Sequence, residues 1–127
     1  MKALLDTHTF LWAISDHPSL SRRAQQIFTG PNDLWLSVAS IWEILIKTKA
    51  RKLPLPEPTG PYLVKKLAEN RIEVLPITLD HVLRIESLAV HHRDPFDRIL
   101  IAQSLEEKLP LVSADPHFEK YPIQLIW

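Results

Sequence analysis

The stretch KALLDTHTFLWAIS, residues 2–15, joins a short apolar segment of β type directly to a helical one. The segment from Lys2 to Asp6 has the composition of a strand and ends on a carboxylate, and the next residues continue into a helix. Strand candidates alternate with helical segments along the rest of the chain in the same way. This alternation predicts an α/β fold with a largely parallel central sheet.

The remaining elements follow from hydrophobic spacing and from turn signals. Helices are predicted over residues 19–28, 38–51, 63–71, 79–89 and 95–108, and strands over 34–37, 72–77, within 109–115 and at 123–127. Ser19 is the expected N-cap of the first of these helices. In the second, Val38, Ile41, Trp42 and Leu45 fall on one stripe.

The proline-rich segment LPLPEPTGP, residues 53–61, resembles a linker between two domains. Too little chain lies on either side of it for two independent cores, so we expect a loop and a single domain over residues 1–127. With 46% hydrophobic residues, the chain is able to form a substantial core.

Charge and cysteine content limit the possible functions. The 15 basic and 15 acidic residues give a formal net charge of zero, so any contact with nucleic acid must come from a local basic patch. Cysteine is absent, which excludes disulfides and thiolate metal sites and fits a reducing compartment. No apolar stretch is long enough for a membrane span, and MKALLD does not have the pattern of a signal peptide. We therefore expect a cytoplasmic protein.

Four carboxylates lie in unusually apolar sequence. Asp6 ends ALLD, Glu43 interrupts SIWEILI, Asp97 precedes ILIA, and Asp115 ends LPLVSAD. Acidic side chains are seldom buried unless they are paired or bind a metal, and the carboxyl ends of parallel strands border a crevice where ligands bind. Gathered there, the acids would repel one another unless a cation neutralised them. Oxygen-only ligands favour a hard divalent ion, Mg²⁺ or Mn²⁺.

Each acid also has an ordinary explanation when it is taken alone. Asp6 and Asp115 suit a turn or an N-cap, Glu43 suits a solvent-facing helix position, and Asp97 suits the first turn of a helix. Asp94, which precedes a proline, suits a helix cap. These explanations are separate, whereas a metal site accounts for all four positions at once.

Four fragments, in this order and spacing, resemble the successive motifs of the PIN domain and, more narrowly, of the VapC-type toxins of bacterial toxin–antitoxin pairs. They are LLDTHTFLWAI, LSVASIWEILIK, HHRDPFDRILIAQS and LVSADPHFEKY, and the similarity runs from residue 2 to about residue 121. The resemblance implies a three-layer α/β/α sandwich with a central, mainly parallel sheet. It also implies a metal-dependent ribonuclease site.

The resemblance assigns roles to individual residues. Its acidic positions fall on Asp6, Glu43, Asp97 and Asp115, which would be both catalytic residues and metal ligands. Small hydroxyl positions near the site match Thr7, Ser37 and Ser113. The register of HRDPFD favours Asp97 over Asp94 as the ligand and leaves Asp94 as an outer-shell group.

Two arginines flank the third acidic position. Arg98 and Arg93 are candidates for orienting a carboxylate or holding a substrate phosphate, with a surface ion pair as the alternative for each.

The reaction expected from these motifs is endoribonucleolytic hydrolysis of an RNA phosphodiester by water that one or two Mg²⁺ or Mn²⁺ ions activate. Glu43 and Asp115 remain open as alternatives for the base that accepts the proton of the water. A non-catalytic module whose acidic pocket binds a basic partner peptide is the alternative function. The adjacent His91 and His92 could suggest a transition metal, but neighbouring histidines in a helix or strand point apart.

The expected partners are an RNA substrate, a cognate antitoxin and a second copy of the chain, because VapC-like proteins bind an antitoxin near the first helix and usually form homodimers. That helix has surplus apolar residues, Phe10, Leu11, Trp12 and Ile14, part of which core packing explains. A basic run, Lys47 to Lys52, offers local phosphate contacts or is simply a solvated helix end.

Overall fold

The structure is a computed structural model that describes residues 1–127. Its strands are β1 (Lys2–Leu5), β2 (Asp33–Ser37), β3 (Ile72–Leu75), β4 (Leu111–Val112) and β5 (Leu125–Ile126). Its α-helices are α1 (Thr7–Ile14), α2 (Arg22–Thr29), α3 (Val38–Lys49), α4 (Thr59–Glu69), α5 (Leu79–Arg84) and α6 (Pro95–Glu107). Two 3₁₀ helices span Ile85–Ser87 and Pro116–Lys120. None of the helices combines the length and the apolar character that crossing a bilayer requires.

The five strands form one sheet in the order β3-β2-β1-β4-β5, and every neighbouring pair is parallel. The predicted parallel sheet is therefore confirmed. The chain adds β2 and β3 on one side of β1 and then crosses to add β4 and β5 on the other side. The order thus reverses between β1 and β4, and the crevice at the carboxyl ends of these two strands is where open α/β sheets bind ligands.

The alternation of side chains along β1 builds two cores, one on each face of the sheet. Ala3 and Leu5 belong to a cluster with Phe10 of α1 and Ile44 of α3, to which α2 and α4 also contribute. Leu4 belongs to a second cluster that is formed mainly by α6. Because successive strand residues point to opposite faces, the apolar run ALL requires a layer of helices on each side. The three-layer α/β/α architecture is confirmed.

Helix α2 begins two residues later than expected. Its N-cap is Ser21, whose hydroxyl accepts a hydrogen bond from the Ala24 N–H at 3.0 Å. The prediction of Ser19 as the N-cap is wrong, because Ser19 lies in a turn that precedes the helix, where its N–H donates a hydrogen bond to the His17 ring.

Two other helix boundaries also differ from the sequence prediction. Helix α4 starts at Thr59 rather than at residue 63, since Pro61 lies in its first turn, where the missing N–H has no intrahelical partner to lose. Helix α5 stops at Arg84 and continues as the 3₁₀ helix Ile85–Ser87 instead of reaching residue 89.

The proline-rich segment is a loop between α3 and α4, as expected. Leu53 and Leu55 from this segment pack against the cluster on the α1 side of the sheet, so the loop lies against the core and does not extend into solvent.

Helix α3 turns its apolar stripe away from the core. Trp42 is 59% exposed and Leu45 is 39% exposed, whereas Ser40 and Glu43 are buried on the opposite side. The stripe was predicted correctly as a helical feature and its Ile41 packs against the core, but the buried side of the helix carries Ala39, Ser40 and Glu43 together with Ile44. A glutamate is therefore held inside the molecule.

Candidate metal centre

Asp6 lies at the carboxyl end of β1, at the switch point of the sheet, and is 5% exposed. One carboxylate oxygen accepts a hydrogen bond from the Thr7 N–H at 2.7 Å and so caps α1. The other accepts a hydrogen bond from the hydroxyl of Ser113 at 2.8 Å, which joins the ends of β1 and β4. Both carboxylate oxygens are thus fixed by donors from neighbouring elements.

Burial raises the pKa of Asp6 to about 6, the Ser113 hydrogen bond opposes this rise, and the charge of Asp97 adds to it. His8, in the first turn of α1, acts in the opposite direction from Asp97. A carboxyl group that is taken out of water beside another carboxylate has its charged form disfavoured. Asp6 and Asp97 therefore lie in one electrostatic neighbourhood.

Asp97 extends from the first turn of α6 and is about one-sixth exposed. Its carboxylate lies 2.6 Å from Nε2 of His92, which pairs with it across the loop that precedes the helix. Burial raises the pKa of Asp97, the His92 hydrogen bond lowers it, and the charges of Asp94 and Glu43 raise it. The third predicted acid thus interacts with both Asp6 and Glu43.

Glu43 is 7% exposed on the inner side of α3. Its carboxylate contacts the ammonium of Lys47 one helical turn later at 2.8 Å, and this hydrogen bond raises the pKa of Lys47. The charges of Asp94 and Asp97 also raise the pKa of Lys47, which places this lysine beside the acids. The basic run predicted from the sequence thus contributes one residue to the site itself.

The hydroxyl of Thr7 donates a hydrogen bond to the hydroxyl of Ser40 at 2.9 Å, and both side chains are buried. This bond ties the start of α1, next to Asp6, to the part of α3 that carries Glu43. The predicted hydroxyl position at Thr7 therefore connects two elements of the site. Ser40, which the sequence reasoning missed, is its partner.

Asp115 lies beside Asp6 on the β4 side of the crevice. Its N–H donates to the hydroxyl of Ser113 at 3.0 Å, so one serine contacts both acidic residues. The Asp115 carboxylate accepts a hydrogen bond from the N–H of His117 and lies 2.9 Å from Nδ1 of the same residue. The predicted hydroxyl at Ser113 is thus located between the first and fourth acidic positions.

Three other predicted residues have local structural contacts. Asp94 caps α6 by accepting hydrogen bonds from the N–H groups of Phe96 and Asp97, at 2.9 and 3.1 Å, as expected for a helix cap. Ser37 caps α3 through the Ala39 N–H and is fully buried. Arg98 contacts no carboxylate; its guanidinium donates to the backbone carbonyls of Ala89 and His92 and so holds the loop before α6. The guanidinium is thus occupied by backbone carbonyls, and a role of Arg98 in orienting a carboxylate or holding a substrate phosphate stays a prediction.

Two histidines that were not assigned to the site connect its two halves. The rings of His92 and His117 stack with centroids 5.0 Å apart and an angle of 5° between their planes. Each ring also contacts one acid, Asp97 and Asp115 respectively. His91 packs on Tyr121 instead, and both neighbouring histidines lie in the loop before α6 and not in a helix or strand. The sequence signal for these two histidines was that each lies within a few residues of an acid. That spacing does not show that the segments carrying His92 and His117 contact each other.

The side chains fit a hard divalent cation by their chemistry. Asp6 and Glu43 are buried carboxylates, Asp97 is partly buried, the charge of Asp97 disfavours ionisation of Asp6, and the Ser113 hydroxyl donates to Asp6. As the side chains are arranged here, no three His, Asp or Glu residues are close enough to coordinate a single ion. Glu43 contacts Lys47 instead, and Asp97 contacts His92.

Comparison with known proteins agrees with this geometry. A family model described as the PIN domain matches residues 3–124. Ribonuclease VapC16 from Mycobacterium tuberculosis is 40% identical over 50 residues, which is 39% of this chain. The match spans about a third of the length of that relative, 34%.

Solved structures share the fold at low sequence identity. VapBC2 from Rickettsia felis, bound to a DNA fragment from its promoter, aligns with a TM-score of 0.70 at 18% identity, over 99% of this chain and 98% of that chain. VapBC-5 from Mycobacterium tuberculosis, a member of the VapBC family of toxin–antitoxin systems, aligns with a TM-score of 0.64 at 17% identity, over 98% and 97% of the two chains. Because the family model matches nearly the whole chain, this chain belongs to the PIN domain family.

Proposed function

We propose that this chain is a single PIN domain over residues 1–127 that acts as a metal-dependent endoribonuclease, in the cytoplasm, as the toxin of a type II toxin–antitoxin pair. The observation that carries the proposal is that Asp6, Glu43 and Asp97, from three separate elements, lie near enough for the charge of Asp97 to act on Asp6 and the charge of Glu43 to act on Asp97. Membership of the PIN family and the similarity to Ribonuclease VapC16 support the ribonuclease activity.

In this proposal Asp6, Glu43, Asp97 and Asp115 hold Mg²⁺ or Mn²⁺. When bound, the ion would lower the pKa of a water molecule and stabilise the negative charge that builds up on the phosphate. The Ser113 hydroxyl and the Thr7 N–H keep the Asp6 carboxylate oriented, so this side chain needs less rearrangement to reach the transition state.

Two carboxylates remain alternatives for the proton acceptor. Glu43 is buried next to Lys47, while Asp115 is about one-third exposed and lies beside the stacked histidines. A base must lie within hydrogen-bond reach of the water that it deprotonates, either directly or through one other water. Separate Gln and Asn substitutions at these two positions would compare their contributions.

Lys47 is well placed to approach the phosphate when Glu43 turns away from it. Its ammonium is then released from its contact with the carboxylate and remains beside the acidic cluster, with its charge available for the substrate backbone. This supplies a local positive charge in a chain whose formal net charge is zero.

The partners of this function would be a cognate antitoxin and a second copy of the chain. Solved relatives include complexes described as toxin–antitoxin systems. The chain also exposes several large apolar side chains on α3 and α5, among them Trp42, Leu79 and Leu83 at 57–71% exposure. An exposed apolar surface of this kind is typical of a protein interface.

The experiment that tests the proposal compares RNA cleavage by the wild type with that of Asp6→Asn, Asp97→Asn and Asp33→Asn. Asp33 is an exposed acid at the opposite end of the sheet and serves as the matched control. In Mg²⁺ we expect wild type and Asp33→Asn to cleave and the two site variants to lose about 10²-fold or more. EDTA should stop cleavage.

Circular dichroism must show all four proteins to be folded. Equal cleavage by wild type and Asp6→Asn, or cleavage that persists in EDTA, would contradict the proposal. Binding of a basic peptide without any RNA cleavage would favour the non-catalytic module.

A further inference from the structure

A cavity of about 300 Å³ opens next to the acidic cluster on the side of α1. Asp6 and Asp115 form one part of its wall. Trp12, His8 and Pro116 form the rest of it together with small residues. The cavity is therefore continuous with the proposed metal centre, although its other walls are aromatic and apolar. No step of the proposed reaction uses those walls.

Trp12 is held in place although part of it is exposed. Its indole stacks on the ring of His17, with centroids 5.6 Å apart and an 18° angle between the planes. It also packs against Trp127 at 5.9 Å. These neighbours restrict its rotation before anything binds, so a ligand that stacks on it loses little side-chain entropy of the protein.

His8 lies on the same side of α1 as Trp12. The two residues are four apart, which places them one helical turn from each other, and their ring centroids are 6.0 Å apart. His8 is exposed and lines the cavity together with Asp6 and Trp12, so it continues the wall from the carboxylate to the indole. The cavity wall thus changes from charged to aromatic side chains over the length of about one helical turn.

A ligand that fills this cavity has an anionic group near the carboxylates, where a bound cation compensates the negative charge. It also has a flat apolar group next to the indole, about the width of one aromatic ring from the anionic group. A nucleotide next to a cleaved phosphate has both groups at this separation. Proteins bind unpaired bases by stacking them on Trp, Tyr, Phe or His, and such stacking accepts any base.

We propose that this cavity binds the base of the nucleotide adjacent to the cleaved phosphodiester, with Trp12 as the stacking surface and His8 beside it. The inference rests on the proposed ribonuclease function and extends it: the substrate is single-stranded at the cleavage site, because a paired base cannot enter the cavity. Trp12 is in this view a substrate-binding residue that sets where the chain cuts relative to an unpaired base.

The test combines a change in the RNA with a change in the protein. In a single-stranded RNA oligonucleotide that the wild type cleaves at one site, an abasic nucleotide is moved stepwise across that site, and kcat/KM is measured for wild type, Trp12→Phe and Trp12→Ala. One position next to the cut should cost the wild type about tenfold or more. Trp12→Ala should lose a similar factor on the normal RNA and lose little more on that abasic RNA. Trp12→Phe should stay close to the wild type.

Val64→Ala is the control, because Val64 is also an exposed apolar residue but lies on α4, outside this cavity and outside the apolar surface of α3 and α5. It should respond to the abasic nucleotide as the wild type does. The abasic series with wild-type protein needs no substitution, so it tests the proposal even if Trp12→Ala does not fold.

A second measurement reports stacking without cleavage. An oligonucleotide of mixed sequence that carries fluorescent 2-aminopurine is bound to the protein in the presence of Ca²⁺. The wild type should quench the fluorescence, and Trp12→Ala should not.

If the wild type cleaves RNA but shows neither a sensitive abasic position nor Trp12-dependent quenching, the base site is refuted while the ribonuclease function stands. If quenching depends on Trp12 but no RNA is cleaved, the base site is supported and the ribonuclease function is refuted. If Trp12→Ala loses only the binding of a basic partner peptide, the cavity belongs to a protein interface and the proposal is overturned.

Discussion

At the scale of single residues, Asp6 is where burial and charge oppose each other most directly. Its side chain is almost fully buried, accepts two hydrogen bonds, and still has its pKa raised to about 6 by desolvation and by Asp97. A carboxylate in this position makes the folded protein less stable at neutral pH in the absence of a cation. We infer that the site retains Asp6 for function at a cost in stability.

Asp6→Asn should therefore stabilise the metal-free protein at pH 7. The folded pKa lies above the unfolded value of 3.8, so stability from the protonated group is complete below about pH 4, falls as the pH rises towards 6, and is constant above that. The difference amounts to about 3 kcal/mol at most. Urea unfolding in EDTA at pH 4 and pH 7 measures it, and the gain of the variant over wild type should grow between the two. A gain that is independent of pH would contradict the assignment of the raised pKa to Asp6.

Asp94 and Asp97 are three residues apart and have different contacts. Asp94 accepts from two N–H groups at the start of α6, whereas Asp97 contacts His92 and interacts with Asp6 and Glu43. The residue that the sequence left as an outer-shell group is thus, in its contacts, a helix cap.

Asp94→Asn and Asp94→Ala should separate capping from charge. Asn retains a side-chain oxygen for the cap, so its unfolding free energy should remain close to wild type, while Ala should lose about 1 kcal/mol. RNA cleavage by Asp94→Asn should remain much closer to wild type than cleavage by Asp97→Asn. Equal losses of cleavage in the two Asn variants would place Asp94 among the metal ligands.

At the scale of elements, α3 shows how a helix is able to hold an acid inside the molecule. Its buried side carries Ala39, Ser40 and Glu43, and small side chains there let α1 approach closely enough for the Thr7–Ser40 hydrogen bond. The exposed stripe with Trp42 is the apolar one. Hydrophobic spacing predicted the helix and the stripe, but it carries no information on which neighbour covers which side, and so the orientation could not be read from it.

Thr7→Val should test the connection between α1 and α3. Valine has nearly the same shape, but it leaves the Ser40 hydroxyl buried without its donor, which should lower the free energy of unfolding by about 1–2 kcal/mol and reduce RNA cleavage. Thr29→Val, at an exposed position of α2, is the control and should change stability by less than about 0.5 kcal/mol. If both variants are equally stable, the Thr7–Ser40 bond does not support the site.

At the scale of the whole molecule, strand order determines where the acids meet. Asp6 and Asp115 follow β1 and β4, which are neighbours in the sheet although they are over a hundred residues apart in the chain. This much was predictable, because acids that end apolar strands of a parallel sheet lie at the same edge.

The stack of His92 on His117 could not be predicted. These two residues belong to loops that are 25 positions apart, and their contact depends on how α6 and the 3₁₀ helix Pro116–Lys120 sit on the same face of the sheet. No local pattern specifies that arrangement. The roles of the acids as metal ligands likewise stay a prediction until a cation is bound.

Mg²⁺ should stabilise the whole fold if the acids hold it. A ligand that binds only the native state adds about 3 kcal/mol when its concentration is a hundred times Kd. Thermal unfolding in increasing MgCl₂ should therefore raise the Tm of wild type and of Asp33→Asn. Asp6→Asn and Asp97→Asn should lose most of the increase, and an equal increase in all four proteins would argue against a shared ion site.

The pairing of β5 with β4 has a consequence for the time at which activity first arises. The Ser113 N–H binds the Ile126 carbonyl, and the hydroxyl of the same serine binds Asp6. A nascent chain therefore completes this corner of the crevice only after β5 has left the ribosome, since β5 follows every other element in chain order. Until then the Ser113 N–H lacks its partner and the serine that binds the Asp6 carboxylate is less firmly positioned, so any activity that depends on Asp6 has to wait for β5.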